Sequence, residues 1–253
     1  MIDITFDGVQ LNDNSNIYVA DDSEWYLIPE RNYTAYSIAG RSGDLLQDNG
    51  KYNNIERAFK FDLIKNGKAL PTLEANVASK VGYKELRNSD DPGCYCMAAY
   101  EGIERLAFGQ LKMNGSVEIL FNCKPQKFLD SGNNAVTAGS SSNPVRITNP
   151  TGYTAKPLIR MLPNSDLELE NYYGGFRLQM GNITEVSSSI TYALIDCETL
   201  EVYNGTINLA PYLTIVGSVV GNESFPFLEG NTSYDLIDRG TAGSTVYPRW
   251  WKL

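Results

Sequence analysis

From residue 145 to residue 251 the chain is a succession of short alternating segments with no room for a helix between them. The segments 145–148, 156–162, 167–171, 176–180, 189–197, 200–203, 206–209, 212–220, 233–238 and 245–251 each read as a strand, and Gly, Pro and Asn separate them at short intervals. A short strand buries only one face, and nothing of helical period is present to cover that face. The pattern predicts two sheets packed on each other, or one sheet closed on itself.

The first half is less uniform. Ile2, Ile4 and Phe6 alternate with Asp3, Thr5 and Asp7, and Gly8 marks a turn. Residues 17–20 and 25–28 read as further strands, the second stopped by Pro29. A turn-rich stretch spans 40–52, where Asn49-Gly50 is a two-residue hairpin signal. Alternation returns over 58–63. Leu73, Val77 and Val81 then recur at helical spacing, with Pro71 in a first-turn position and Gly82 as a stop, which predicts one helix over 71–80. Strands follow over 94–100, 104–113 and 116–123. The Gly/Ser/Asn/Ala-rich stretch 131–143 reads as a linker. The organisation expected is a domain over 1–133, a linker over 134–143 and a β-sandwich domain over 144–253.

The 253 residues include no histidine, which excludes Ser-His-Asp and Cys-His nucleophiles and histidine-based zinc sites. Cys94 and Cys96 stand as a C-x-C, with Cys123 and Cys197 far away; the spacing favours reduced structural thiols over a metal site. Asp166, Glu168 and Glu170 lie on one face of a strand, the one carboxylate set that could suggest acid–base work; a solvated strand face is the plainer reading. We expect no catalytic residues, no metal and no cofactor. Net charge is −9, and both halves are acidic, so a tight grip on nucleic-acid phosphates is not expected. The N-terminus carries no secretory signal pattern, and no apolar run reaches the roughly 18 residues needed to span a bilayer. A soluble chain made in the cytoplasm, without a membrane anchor, is the expectation.

Gly40-Arg41-Ser42-Gly43-Asp44 lacks the ending of a phosphate-binding loop. Its glycines suit unusual backbone conformations around a charge pair that either staples the loop or reaches a neighbouring subunit. Tyr172-Tyr173 and Trp250-Trp251 could stack on sugars, but packing is favoured, and Trp250 and Trp251 are expected in the core of the second domain.

Taken in order, several motifs resemble the siphophage distal tail proteins, hub subunits of the baseplate in phages of Gram-positive bacteria. They are Gly40-Arg41-Ser42-Gly43-Asp44-Leu45-Leu46 with Asp48-Asn49-Gly50-Lys51-Tyr52, Met97-Ala98-Ala99-Tyr100-Glu101-Gly102, Phe121-Asn122-Cys123-Lys124-Pro125, Asn149-Pro150-Thr151, and Tyr247-Pro248-Arg249-Trp250-Trp251. The resemblance implies a mainly β fold: an N-terminal β-sandwich-like, ring-forming domain with one helix and a β-hairpin, then a C-terminal galectin-like β-sandwich. It implies a homo-hexameric ring joining the tail tube protein to the tail-associated tip protein, located in the virion at the tail tip. The central channel would pass DNA without holding it, and the C-terminal domain would meet receptor-binding or other baseplate proteins. It makes Gly40, Arg41, Ser42, Gly43 and Asp44 the candidate assembly motif. A carbohydrate-binding β-sandwich for host adhesion is the alternative, although the sequence has no histidine for a galectin-type sugar site.

Overall fold

The computed structural model describes residues 2–13, 15–20, 25–64, 66–108, 114–171, 174–216, 225–240 and 243–253. The chain divides into two compact units, Met1–Lys127 with Leu253, and Phe128–Lys252. Each has its own apolar core. The fold is mainly β, with one α-helix among the described residues.

The first unit runs β1 (Ile4–Phe6), β2 (Val9–Gln10), β3 (Ile17–Val19), β4 (Arg31–Tyr36), β5 (Leu45–Tyr52), β6 (Ile55–Ile64), α1 (Asn66–Ala78), β7 (Lys84–Asn88), β8 (Cys94–Phe108) and β9 (Asn114–Leu129). The main sheet is ordered β2-β1-β7-β8-β9-β6-β3. Its spine is the antiparallel ladder of β6 on β9, from Ile55 opposite Cys123 to Ile64 opposite Asn114. Period-two alternation sends Ile55, Phe59, Phe61 and Leu63 of β6, and Val117, Ile119, Phe121 and Cys123 of β9, into the core. Phe121 lies at its aromatic centre, with ring centroids 4.9 Å from Phe6 and 6.0 Å from Phe59. Arg57 occupies an inward position of the same β6 row and is 1% exposed.

Two sequence expectations differ here. The helix starts at Asn66, so Pro71 lies inside it instead of in its first turn. Ala69, Leu70, Leu73 and Val77 are all buried, and this stripe carries the helix back past the proline. Residues 25–28 form no strand. They are a strap, with Trp25 in the core and Tyr26, Leu27 and Ile28 outside it.

The second unit adds β10 (Val136–Thr137), β11 (Val145–Thr148), β12 (Leu158–Met161), β13 (Asp166–Asn171), β14 (Gly174–Met180), β15 (Ala193–Asp196), β16 (Glu201–Asn204), β17 (Ile207–Asn208), β18 (Leu213–Val216), β19 (Ser233–Asp238), β20 (Thr245–Tyr247) and β21 (Trp251–Lys252). A six-stranded sheet, β10-β20-β12-β15-β16-β17, and a five-stranded sheet, β11-β19-β13-β14-β18, contribute to one core. Ile159, Ile195 and Val246 come from the first and Leu167, Leu178 and Leu236 from the second. This is a two-sheet β-sandwich.

The stretch 131–143 is structured within this unit. Val136 and Thr137 pair with Val246 and Thr245, and the Gly139 amide donates to Leu236 O at 3.1 Å. A Cβ on Gly132 would lie 2.3 Å from Trp250 N, and one on Gly139 2.1 Å from Asn143 O. These glycines serve close backbone approach, not chain freedom, and that is why composition alone suggests a linker.

Candidate assembly interface

β4 and β5 pair only with each other, as a separate two-stranded sheet in the first unit. Tyr33, Tyr36, Ile38, Leu45 and Leu46 are all exposed, Leu46 at 60%. The strap leading into β4 adds Ile28, exposed at 78%. A two-stranded hairpin without a covering layer is marginal in water, and an exposed apolar ribbon is a surface suited to a partner.

The hairpin is stiffened by polar contacts along its own length. Arg31 Nη2 lies 2.5 Å from Asp48 Oδ2, its Nη1 donates to the Tyr52 hydroxyl, and its guanidinium covers the Tyr52 ring at 5.1 Å. The Arg31 hydrogen bond, helped by the Gly50 amide, holds the Asp48 carboxyl below its ordinary value. Asn49 Nδ2 donates to Asn32 Oδ1 and Thr34 Oγ1 at 2.6 Å and 2.9 Å.

Asn49-Gly50 is not the hairpin turn. Arg31 pairs with Tyr52 but Tyr33 pairs with Asp48, so the register shifts and a bulge at Asn49-Gly50 absorbs the extra residues of β5. Gly50 has φ +68°, the left-handed conformation such a bulge requires. The turn is the segment 37–44, and it holds the whole predicted motif. Gly40 and Gly43 have φ +80° and +81°, and Gly40, Arg41, Ser42, Gly43 and Asp44 are all exposed. Among the described residues, the Arg41 and Asp44 side chains make no ion pair or hydrogen bond, with each other or elsewhere. The internal staple considered from sequence is therefore absent, and both charges point to solvent at the tip of the arm.

The base of the arm is fixed by residues that sequence reading passed over. Trp25 is 1% exposed, and its Nε1 donates to Asp91 Oδ2 at 3.1 Å. Lys127 Nζ donates to the same oxygen at 3.0 Å and lies 5.0 Å from the centroids of both the Trp25 and Tyr26 rings. Arg57 covers the Trp25 ring at 5.2 Å and donates to the carbonyls of Trp25 and Leu27. The available signal was parity: Arg57 falls on an inward position of an otherwise apolar row.

In the second unit Trp250 belongs to the buried core, while Trp251 packs against it from the side, stacked on Tyr153 at 4.5 Å with Nε1 donating to Thr154 O. Tyr172 and Tyr173 lie outside the described residues. Two of the three carboxylates of β13 are tied down by neighbouring side chains, Asp166 by Arg177 and Gln179 and Glu168 by Arg239, while Glu170 is exposed. A surface groove of about 460 Å³ beside the β16–β17 hairpin is lined in part by Glu201, Tyr203, Thr206 and Asn208. Among the described residues no three His, Cys, Asp or Glu side chains cluster as a metal site, and no helix is long and apolar enough to cross a membrane.

No protein-family model matches the chain, and no curated protein sequence does. Solved structures do. The fold matches the crystal structure of the SPP1 Dit protein (gp 19.1), described as a paradigm of the hub adsorption apparatus in phages infecting Gram-positive bacteria. The TM-score is 0.66 at 16% identity, over 97% of each chain. A chain of the phage p2 baseplate, in its activated conformation with Sr, matches with a TM-score of 0.50 at 12% identity, over 97% of this chain and 96% of that one. At these identities the likeness is one of fold.

Proposed function

We propose that this chain is a structural hub subunit of a phage tail tip. It forms a homo-hexameric ring between the tail tube protein and the tail-associated tip protein, with a channel that passes DNA. The observation that carries the reading is the likeness to the SPP1 Dit fold over 97% of the chain, both units included. The exposed β4–β5 arm supports it. A closed ring needs two different patches on each subunit, and an arm reaching from one copy to the next supplies one of them. The charge of −9 suits a channel that releases DNA.

In this reading Gly40, Arg41, Ser42, Gly43 and Asp44 form the tip of the contacting arm. The second unit is a galectin-like sandwich, with Trp250 and Trp251 as its structural tryptophans, that faces outward toward receptor-binding or other baseplate proteins. The protein resides in the virion, at the tail tip. Electron microscopy of negatively stained, purified protein tests the proposal. Six-fold rings with a central hole are expected; a monodisperse monomer at tens of micromolar (roughly) overturns it. A glycan array with the full chain separates this reading from a carbohydrate-binding module.

A further inference from the structure

The sequence holds four Asn-Gly pairs, at residues 49, 66, 114 and 204. In such a pair no Cβ beside the glycine nitrogen blocks its approach to the asparagine side-chain carbonyl. The pair at 49 is distinguished by what surrounds its reacting atoms. The Gly50 amide, the nucleophile, donates to Asp48 Oδ1 at 2.9 Å. Arg31 holds the other oxygen of that carboxylate, with Nε at 2.9 Å and Nη2 at 2.5 Å from Oδ2, and leaves Oδ1 to Gly50. The electrophile is held from β4. The Thr34 hydroxyl donates to Asn49 Oδ1 at 3.2 Å, the oxygen that gains charge when the carbonyl is attacked. Asn49 Nδ2, the leaving nitrogen, donates to Asn32 Oδ1 at 2.6 Å. Asn49 and Gly50 also fall in the register shift between β4 and β5, where regular pairing lapses. At the pair at 204 the surroundings differ. Asn204 Nδ2 is tied to Tyr192 O at 2.8 Å, and among the described residues no carboxylate accepts the Gly205 amide.

We propose that Asn49 is a self-deamidation site, with Asp48 as the base on the Gly50 amide and Thr34 as the donor to the attacked carbonyl.

The Gly50 nitrogen attacks Asn49 Cγ as its proton passes to Asp48 Oδ1, and the electron pair of the carbonyl moves onto Asn49 Oδ1. That pair returns, the Cγ–Nδ2 bond breaks, and Nδ2 leaves as ammonia with the proton from Asp48. Water then opens the succinimide at either carbonyl and leaves an aspartyl or an isoaspartyl residue at position 49. One water is consumed and one ammonia released, with no change of oxidation state. Either product sets a second carboxylate beside Asp48 and removes the donations from Nδ2 to Asn32 and Thr34. The isoaspartyl product also lengthens the β5 backbone by a carbon. The arm thus carries its own ageing reaction, in a stretch away from the tip at 40–44.

The test keeps full-length protein in warm buffer near neutral pH, samples it over weeks and maps its peptides, with isoaspartyl methyltransferase labelling to mark the rearranged product. In native protein, position 49 should exchange NH for O at least about tenfold faster than position 204. In urea the two rates should converge, because only the shared Asn-Gly sequence then acts. D48N should slow position 49 about tenfold, and T34V about threefold. D48N also releases the arm from Arg31, and a loosened backbone reaches the attack geometry more often, so slowing reads the lost base and not the lost order. Native deamidation at position 49 no faster than at position 204, or a D48N variant that reacts as fast as wild type, would overturn the proposal.

Discussion

Lys127 and Asp91 form an ion pair of 3.0 Å in which both side chains are almost out of solvent, 7% and 13% exposed. The pair is closed on one side by the Trp25 ring, whose Nε1 shares the Asp91 oxygen. D91A therefore leaves a buried ammonium unpaired and an indole N–H without its acceptor. The expected loss is on the order of 3 kcal/mol for the first unit, measured by urea unfolding. A loss below about 0.5 kcal/mol would put the pair in the class of exposed salt bridges and remove it as the arm's anchor.

At the other end of the arm, Arg41 should behave in the opposite way. Its side chain is exposed and makes no hydrogen bond or ion pair among the described residues, so R41A should leave the unfolding midpoint where it is. If the tip contacts the next subunit, the same variant should shift mass from ring to smaller species in light scattering. An unchanged ring removes Arg41 from the contact.

How much of this was legible can be read from particular residues. Alternation over 58–63 and over most segments after 145 gives strands because each buries one face, and Phe59, Phe61, Leu167 and Leu169 all sit where their parity puts them. Glycine was less legible. Gly40, Gly43 and Gly50 serve positive φ, whereas Gly132 and Gly139 serve close packing, and a sequence shows the same letter for both. That ambiguity moved the hairpin turn to Asn49-Gly50 and made a linker of 131–143. The anchor at Trp25 was hidden for another reason: Trp25, Asp91 and Lys127 meet only through the tertiary fold, 66 and 36 residues apart in pairs.

The second unit should lose stability in acid, and the sign follows from Asp196. Burial raises its carboxyl, but Arg249 hydrogen bonds at 2.8 Å and 3.0 Å, with the amides of Glu198 and Thr199, outweigh this and leave it below its ordinary value. A depressed carboxylate stabilises the fold above the unfolded-state pKa of about 4 and ceases to do so as pH falls through the lower folded value. Asp166 and Asp235, lowered by Arg177 and Arg146, act in the same direction. D196N should flatten the stability profile below about pH 4 and cost about 1–3 kcal/mol at neutral pH. A wild-type protein equally stable from pH 7 down to about pH 2 would contradict this.

G139A is the sharpest test of the packed stretch before β11. Its new Cβ would meet the Asn143 carbonyl and the Val145 amide, both backbone atoms that cannot rotate away. Destabilisation of about 1–3 kcal/mol is expected, while S141A, at an exposed position, should be neutral. Equal stability of both variants, by thermal unfolding, would return the stretch to the status of a tether.

The two cores predict where the chain can be divided. Leu129, Val136 and Ala138 pack in the core of the second unit, and the Leu129 amide donates to Trp250 O at 2.8 Å. A cut at residue 143, the end of the Gly/Ser-rich stretch, removes all three along with strand β10 and its pairing to β20. A fragment 128–253 keeps them. Losing two or three partly or fully buried apolar side chains costs several kcal/mol, about what a domain of this size has in total. Fragment 128–253 should therefore fold as a monomer with cooperative unfolding, and fragment 143–253 should be unfolded or molten. Fragment 1–127 keeps the β4–β5 arm and its Trp25 anchor, and under the proposed function it should still assemble. Sedimentation and thermal unfolding of the three fragments give the answer. A cooperative 143–253 would show that residues 128–142 add nothing to the second core. A monomeric 1–127 beside a ring-forming full chain would assign part of the ring contact to the second unit.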